Sequence, residues 1–174
     1  MDLSITLKSA LWLCTLLLIT GCGEPVADIN KTNSFNKHGM TFKYPGNWTL
    51  SDEVTGDIIS IYLETPGDTV VIIQNYPNDY SMNLKEFSED FRKSMIENLP
   101  IGNINSQKVL SSSANMIDEE FSISLVGEKV PHRRKFLCLN SEKTTCFLIY
   151  QVPKEDYEKS QKGFELIHSS LELK

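Results

Sequence analysis

Two cysteines in the C-terminal third of the chain, Cys138 and Cys146, have the spacing of a disulfide across a β-hairpin. They lie in the apolar runs 134–140 and 145–152, which are typical of paired strands. If residues 141–143 form the loop, the two cysteines lie directly opposite each other, where Cβ atoms about 4.5–5.5 Å apart can tighten to disulfide distance. The sequence therefore predicts a disulfide. The alternative is two buried free thiols that behave as small apolar side chains.

The acidic run 118–120, Asp-Glu-Glu, could supply ligands to a calcium ion, which takes 6 to 8 oxygens. Three adjacent acids before a strand are more commonly a solvated turn, so we predict no metal there. The histidines His38, His132 and His168 lie far apart and have no second ligand at short spacing. We expect surface or capping roles for them, and no metal or other cofactor.

The basic cluster of the chain is the segment 129–135, Lys-Val-Pro-His-Arg-Arg-Lys. Such a cluster could contact a lipid headgroup or a partner. It could equally be the charged end of a hairpin, which prevents edge-to-edge aggregation of strands. The sequence leaves both interpretations open.

Catalytic motifs are absent from the sequence. It contains no Gly-x-Ser-x-Gly elbow, phosphate-binding loop or dinucleotide fingerprint. The serine run 111–113 has no base nearby. Because no nucleophile can be paired with its base, a hydrolase is only a remote alternative, and we predict a non-enzymatic protein without catalytic residues.

Two aromatic residues, Trp48 and Tyr62, are the candidates for a ligand site. An apolar pocket with a few polar groups is the usual form of a small-molecule site. We expect Trp48 and Tyr62 to line such a pocket between a sheet and a helix.

Alternating apolar residues predict the strands that must position these groups. Strands are expected over 40–44, 48–51, 58–64, 69–76, 107–114, 120–126, 134–140 and 145–152. The run 70–73, Val-Val-Ile-Ile, is apolar on both faces. It therefore indicates a sheet that is covered on both sides.

Two helices complete the pattern. Asn83 and Glu86 have the spacing of a capping box, which predicts a helix from there to about Asn98. A second helix is expected after Pro153. Its buried stripe comprises Tyr157, Phe164, Ile167 and Leu171.

The N-terminal segment is an apolar run that ends in Ile19-Thr20-Gly21-Cys22. It resembles the lipobox of bacterial lipoproteins, in which the cysteine carries lipid after cleavage of the signal peptide. The alternatives are a plain signal peptide and a transmembrane helix, but a helix that spans the membrane needs about 20 apolar residues. We predict a signal peptide over 1–21, a lipidated Cys22 with a flexible linker over 22–34, and one domain over 35–174.

This prediction places the domain in the bacterial cell envelope, lipid-anchored and facing the periplasm. Gly23 follows the cysteine where aspartate commonly signals retention in the inner membrane, which favours the outer membrane. The chain has a net charge of −6. An acidic domain is poorly suited to binding nucleic acid by charge.

Three segments together resemble the PsbP-like and DcrB-like superfamily. They are 42–48 (Phe-Lys-Tyr-Pro-Gly-Asn-Trp), 84–87 (Leu-Lys-Glu-Phe) and 167–171 (Ile-His-Ser-Ser-Leu). The resemblance implies an α+β fold, with an antiparallel sheet flanked by helices on both faces and the order βββ(β)-α-ββββ-α. The metal ligands of the photosystem members cannot be matched one by one to positions of this sequence, so none is carried over.

Members of this superfamily are accessory and binding proteins. The resemblance and the predicted anchor together imply a non-enzymatic accessory or protein-binding module of the envelope, with an unidentified envelope protein as partner. The alternative is a carrier of a small ligand or lipid in a pocket between sheet and helix.

Overall fold

The computed structural model describes residues 25–97, 103–125 and 127–174. The strands are β1 Thr32–Lys37, β2 Met40–Pro45, β3 Thr49–Thr55, β4 Ile58–Glu64, β5 Val70–Pro77, β6 Asn103–Ser112, β7 Met116–Leu125, β8 Glu128–Asn140, β9 Thr144–Pro153 and β10 Glu172–Leu173. The helices are α1 Leu84–Glu97 and α2 Tyr157–Ser170. In these ranges no helix is long and apolar enough to cross a membrane.

The strands form two antiparallel sheets. A seven-stranded sheet has the order β3-β4-β5-β9-β8-β7-β6, and a three-stranded sheet has the order β1-β2-β10. The predicted α+β class, with helices on both faces of an antiparallel sheet, is confirmed. The small sheet was not predicted, because β1 begins within the expected linker and β10 comprises only two residues.

Side-chain alternation along the central strands divides the core into two layers. In β9, Cys146, Leu148 and Tyr150 face α2, while Phe147 and Ile149 face α1. This two-sided burial explains why the central strands read as continuous apolar runs.

The start of α1 follows the predicted capping box. Asn83 Oδ1 accepts hydrogen bonds from the N–H groups of Lys85 (3.0 Å) and Glu86 (3.1 Å). Glu86 Oε2 in turn accepts the N–H of Asn83 at 3.2 Å. Donors at the helix N-terminus that would otherwise lack partners are therefore satisfied reciprocally.

The prediction of a flexible linker that extends to Ser34 is wrong for residues 27–34. Ala27 is buried, and its N–H donates to the carbonyl of Lys159 in α2 at 2.9 Å. Asn47 clamps the same segment by accepting the N–H of Asp28 (2.9 Å) and donating to the carbonyl of Val26 (3.0 Å). Strand β1 then begins at Thr32. Polar composition suggested a linker, but the carbonyls of Asp28 and Lys31 accept the N–H of Gly46 and so tie this segment to the domain.

Candidate binding groove

An open groove lies on the α1 face of the seven-stranded sheet. Helix α1 packs over β8 and β9, where Phe87 stacks on Phe147 with ring centroids 4.0 Å apart. This placement leaves part of β4 and β5 uncovered, and the resulting groove has a volume of about 410 Å³. Nine residues line its two walls: Tyr62, Ile72, Gln74, Tyr76, Met82, Phe87, Asp90, Phe91 and Ser94.

The sheet wall of the groove is aromatic with a polar strip. Tyr62 pairs with Ile72 across β4 and β5. Gln74 accepts the hydroxyl of Tyr76 at 3.3 Å and donates to Ser60 Oγ at 3.4 Å. These bonds hold the Tyr76 ring over the groove while satisfying the amide of Gln74.

The groove is rich in oxygen atoms and poor in cations. Among the residues that line it, none is lysine or arginine, and Asp90 supplies a carboxylate. Burial raises the pKa of the Tyr76 phenol, and the nearby Tyr62, Tyr80 and Asp90 raise it further. The site therefore disfavours additional negative charge.

A buried ionic cluster fixes the helix wall. Glu119 is fully buried and accepts hydrogen bonds from Arg92 of α1 (2.7 Å), Arg134 of β8 (2.7 Å) and Gln107 of β6 (2.9 Å). Burial alone would raise the pKa of Glu119, but the hydrogen bond from Arg92 and the charge of Arg134 outweigh it, and the pKa is lowered. Arg92 thus locks α1 onto the sheet beside the groove.

Aromatic rings surround the guanidinium of Arg134 at the centre of this cluster. Arg134 is only 1% exposed, and its guanidinium lies 4.4 Å from the ring centroid of Phe121 and 5.1 Å from that of Phe136. Gln151 accepts a further hydrogen bond from it at 3.2 Å. Burial lowers the pKa of Arg134, although Glu119 opposes this effect.

The acidic run 118–120 and the basic segment 129–135 are brought together by the pairing of β7 with β8. Glu119 lies opposite Arg134 in the register, and on the other face Asp118 accepts two bonds from Arg133, at 2.9 Å and 2.6 Å. The expected solvated turn at 118–120 is therefore wrong, because Asp118 and Glu119 are buried. In the basic segment, Arg133 and Arg134 pair with these two acids. A sequence signal was available, since Glu119 precedes Leu125 by as many residues as Arg134 follows Glu128, and Leu125 and Glu128 are the pair that closes this hairpin.

The predicted disulfide is absent, and Cys138 and Cys146 are free thiols. Asn140 pairs with Thr145, so four residues, 141–144, separate the paired strands, one more than predicted. Cys138 consequently lies opposite Phe147, and Cys146 lies opposite Leu139. Because successive side chains alternate, the two thiols point to opposite faces of the sheet.

Trp48 and Tyr62 do not share a pocket. Trp48 is buried in the α2 core layer, whereas Tyr62 lies between the buried Ile61 and Leu63 and so faces the opposite side of the sheet. Only Tyr62 lines the groove described here. The predicted lipidation site, Cys22, lies outside the described residues.

The histidines are separate from one another. His38 Nε2 lies 2.8 Å from Asp52 Oδ2, and the His168 ring stacks near Phe164. His132 is buried against Phe121, contrary to the expected surface role, and burial lowers its pKa. In the described ranges no group of three or more histidine, cysteine or acidic residues is placed to hold a metal.

No family model and no curated protein matches the sequence. Solved structures do show similarity of fold. The cyanobacterial PsbP (CyanoP) of Synechocystis sp. PCC 6803 has 13% identity and a TM-score of 0.47, covering 90% of this chain and 99% of its own. The alignment therefore spans almost all of CyanoP.

Two further structures show similarity of the same kind. LpqN of Mycobacterium tuberculosis, described as involved in cell envelope biogenesis, has 14% identity and a TM-score of 0.41, covering 81% of this chain and 89% of its own. The Ran-binding protein Mog1p of Saccharomyces cerevisiae has 9% identity and a TM-score of 0.47, covering 82% and 95%. All three are structural neighbours of this chain, at low sequence identity.

Proposed function

We propose that this protein is a lipid-anchored, non-enzymatic binding module of the bacterial cell envelope that holds a partner protein in the groove beside α1. The groove is the observation that carries the proposal. It combines an uncovered apolar surface with tyrosine, phenylalanine and methionine side chains. Aromatic residues and methionine are enriched at protein interfaces, and aromatic anchors supply much of their binding energy.

The openness of the groove favours a partner protein over an enclosed ligand. Tyr62, Tyr76 and Phe91 are half-buried, and Asp90 is exposed. A small-molecule site covers about 70–90% of its ligand. The walls of this groove are open to solvent on one side. Such a groove suits a segment of a partner protein, because the rest of the partner can cover the open side.

The ionic cluster supports the proposal because it preorganises the groove. Arg92 ties α1 to Glu119, and the helix wall is therefore in place before a partner arrives. A binding surface held on rigid elements spends less free energy on ordering when the complex forms.

The proposed anchor gives the domain a short tether. Ala27 follows Cys22 by five residues, which a fully extended chain spans in at most about 18 Å. Pro25 and Ala27 lie beside Trp48 and Lys159, on the α2 side of the sheet. The groove lies on the opposite face of the sheet. A tether attached on the α2 side therefore does not cover the groove, which stays accessible from the periplasm.

Site-specific photocrosslinking in the intact envelope tests the proposal. A benzophenone amino acid at Tyr62 should give a discrete adduct with an envelope protein, and the same amino acid at the exposed Lys162 of α2 should not. Equal adduct patterns at both positions, or no adduct at Tyr62 under conditions that trap known complexes, would contradict it.

A small-ligand carrier is the second candidate, because about 410 Å³ lies within the range of ligand pockets. A carrier should show thermal stabilisation by a lipid or metabolite, and Tyr62→Ala should abolish this stabilisation. A screen without such a Tyr62-dependent shift removes this candidate and leaves the partner protein.

A further inference from the structure

We propose that the partner inserts a lysine or arginine side chain into the groove, between the rings of Tyr62 and Tyr76 and towards the carboxylate of Asp90. The inference rests on the proposed function, because it specifies the chemistry of the segment that the groove receives. Its support comes from the rings, the charges and the polar groups of the groove.

Tyr62 and Tyr76 are the rings available to an incoming cation. Phe87 is stacked on Phe147, and Phe91 already lies 5.5 Å from the guanidinium of Arg134. Tyr76 contacts Tyr80, Phe87 and Phe147 in T-shaped arrangements and is stacked on none of them. A cation placed over the face of a tyrosine is attracted by the negative potential of the ring.

The charges around the groove also favour a cation. Asp90 is the ionisable acid of its lining, and the phenol oxygens of Tyr62 and Tyr76 act on the same space. The arginines of the cluster, Arg92 and Arg134, both donate to Glu119, and Arg134 also donates to Gln151. The carboxylate of Glu119 partly neutralises their charge, and the lining of the groove itself holds the carboxylate of Asp90 and no lysine or arginine.

A purely apolar segment would fit this groove less well. It would cover Asp90 without offering a donor, and a buried carboxylate without a partner is costly. Lysine and arginine combine an apolar stem with a charged end. The stem can therefore pack against Ile72 while the end reaches Asp90.

Methyl NMR of the full chain in uncharged maltoside micelles tests the inference. Three short peptides differ only at the central position, which is lysine, Nε-acetyl-lysine or norleucine. The methyl signals of Ile72 and Met82 report on the groove, and Ile167 in the α2 core layer is the reference. We expect the lysine peptide to bind about 5- to 30-fold more tightly than the norleucine peptide, with shifts confined to the groove signals.

Matched variants separate ring and charge effects. Tyr62→Phe should keep the preference for lysine and Tyr62→Leu should reduce it, because only phenylalanine retains the aromatic face. Asp90→Asn should weaken binding of the lysine peptide and leave the norleucine peptide unchanged. Glu89→Gln, an exposed acid on the same helix, should change neither.

The outcomes distinguish the inference from the proposed function. Equal affinity for the lysine and norleucine peptides, together with a crosslink at Tyr62, would overturn the cation preference and keep the partner-binding role. Absence of groove shifts with every peptide and of the crosslink would overturn both. Shifts caused by phosphatidylethanolamine and by no peptide would overturn the inference in favour of a lipid headgroup.

Discussion

Glu119 satisfies two arginines at once, and removing its charge should destabilise the protein. Glu119→Gln leaves Arg134, which is 1% exposed, without a compensating anion. Breaking a buried ion pair in this way costs about 3–5 kcal/mol of unfolding free energy, measurable by urea denaturation.

The control is Glu120→Gln on the neighbouring residue. Glu120 pairs with the exposed Lys154 at 2.6 Å, and such pairs contribute about 0–1 kcal/mol. Similar losses for the two variants would contradict the role assigned to the cluster.

The lowered pKa of Glu119 also predicts a pH dependence of stability. The carboxyl group of glutamate has an ordinary pKa of 4.5, and the folded protein holds that of Glu119 below it. Its stabilising contribution is therefore complete above pH 4.5 and is lost as the pH falls through the folded pKa. The wild type should lose more stability than Glu119→Gln over this acidic range. Parallel pH profiles for the two proteins would rule out this linkage.

The capping box of α1 and most strand cores could be predicted from local patterns, because each depends on residues close together in the chain. The register of the β8–β9 hairpin could not. In the structure, Ser141 Oγ accepts the N–H groups of Lys143 (3.3 Å) and Thr144 (3.0 Å), which stabilises the longer loop. A shift of one residue reverses the face of every side chain on one strand relative to its partner.

This register predicts the reactivity of the two thiols. Cys146 is fully buried, and burial raises the pKa of its thiol to about 12. Cys138 is half-buried. Iodoacetamide labelling with peptide mapping should modify Cys138 slowly in the native protein and Cys146 only after unfolding. A peptide that links Cys138 to Cys146 in non-reduced periplasmic material would contradict the register.

The contact between α2 and Trp48, the residue before β3, predicts an unusual effect of an alanine substitution. Replacing a helical glycine with alanine usually adds up to about 1 kcal/mol of stability. At Gly163, however, the new Cβ would lie 2.5 Å from the ring of Trp48. Gly163→Ala should therefore destabilise the protein, by about 1–3 kcal/mol.

Thermal denaturation of a double-mutant cycle checks this prediction. Trp48→Leu should reduce the penalty of Gly163→Ala, because the two sites are in contact. Lys162→Ala on the exposed side of the helix is the control. A stabilising effect of Gly163→Ala would show that the helix can move away from Trp48.

At the scale of the whole molecule, a sheet covered on both sides could be predicted from the sequence, because its central strands are apolar on both faces. The position of the groove could not be predicted in this way, because it depends on where α1 crosses the sheet. Strand alternation already separates Tyr62 from Ile61 and Leu63, but it does not show which face the helix leaves open. In the ionic cluster, the spacing about the β7–β8 turn indicates the pairing of Glu119 with Arg134. The bond from Arg92 depends on where α1 crosses the sheet, so it could not be assigned from local spacing.

The account as a whole predicts that one partner occupies the space between the two walls of the groove. The direct measurement is photocrosslinking in the intact envelope from Tyr62 on the sheet wall and from Ser94 on the helix wall, with mass spectrometric identification of each adduct. Both positions should trap the same protein, and Lys162 on the opposite face should not. Adducts with unrelated proteins from the two walls, or the same yield from Lys162, would contradict binding in the groove.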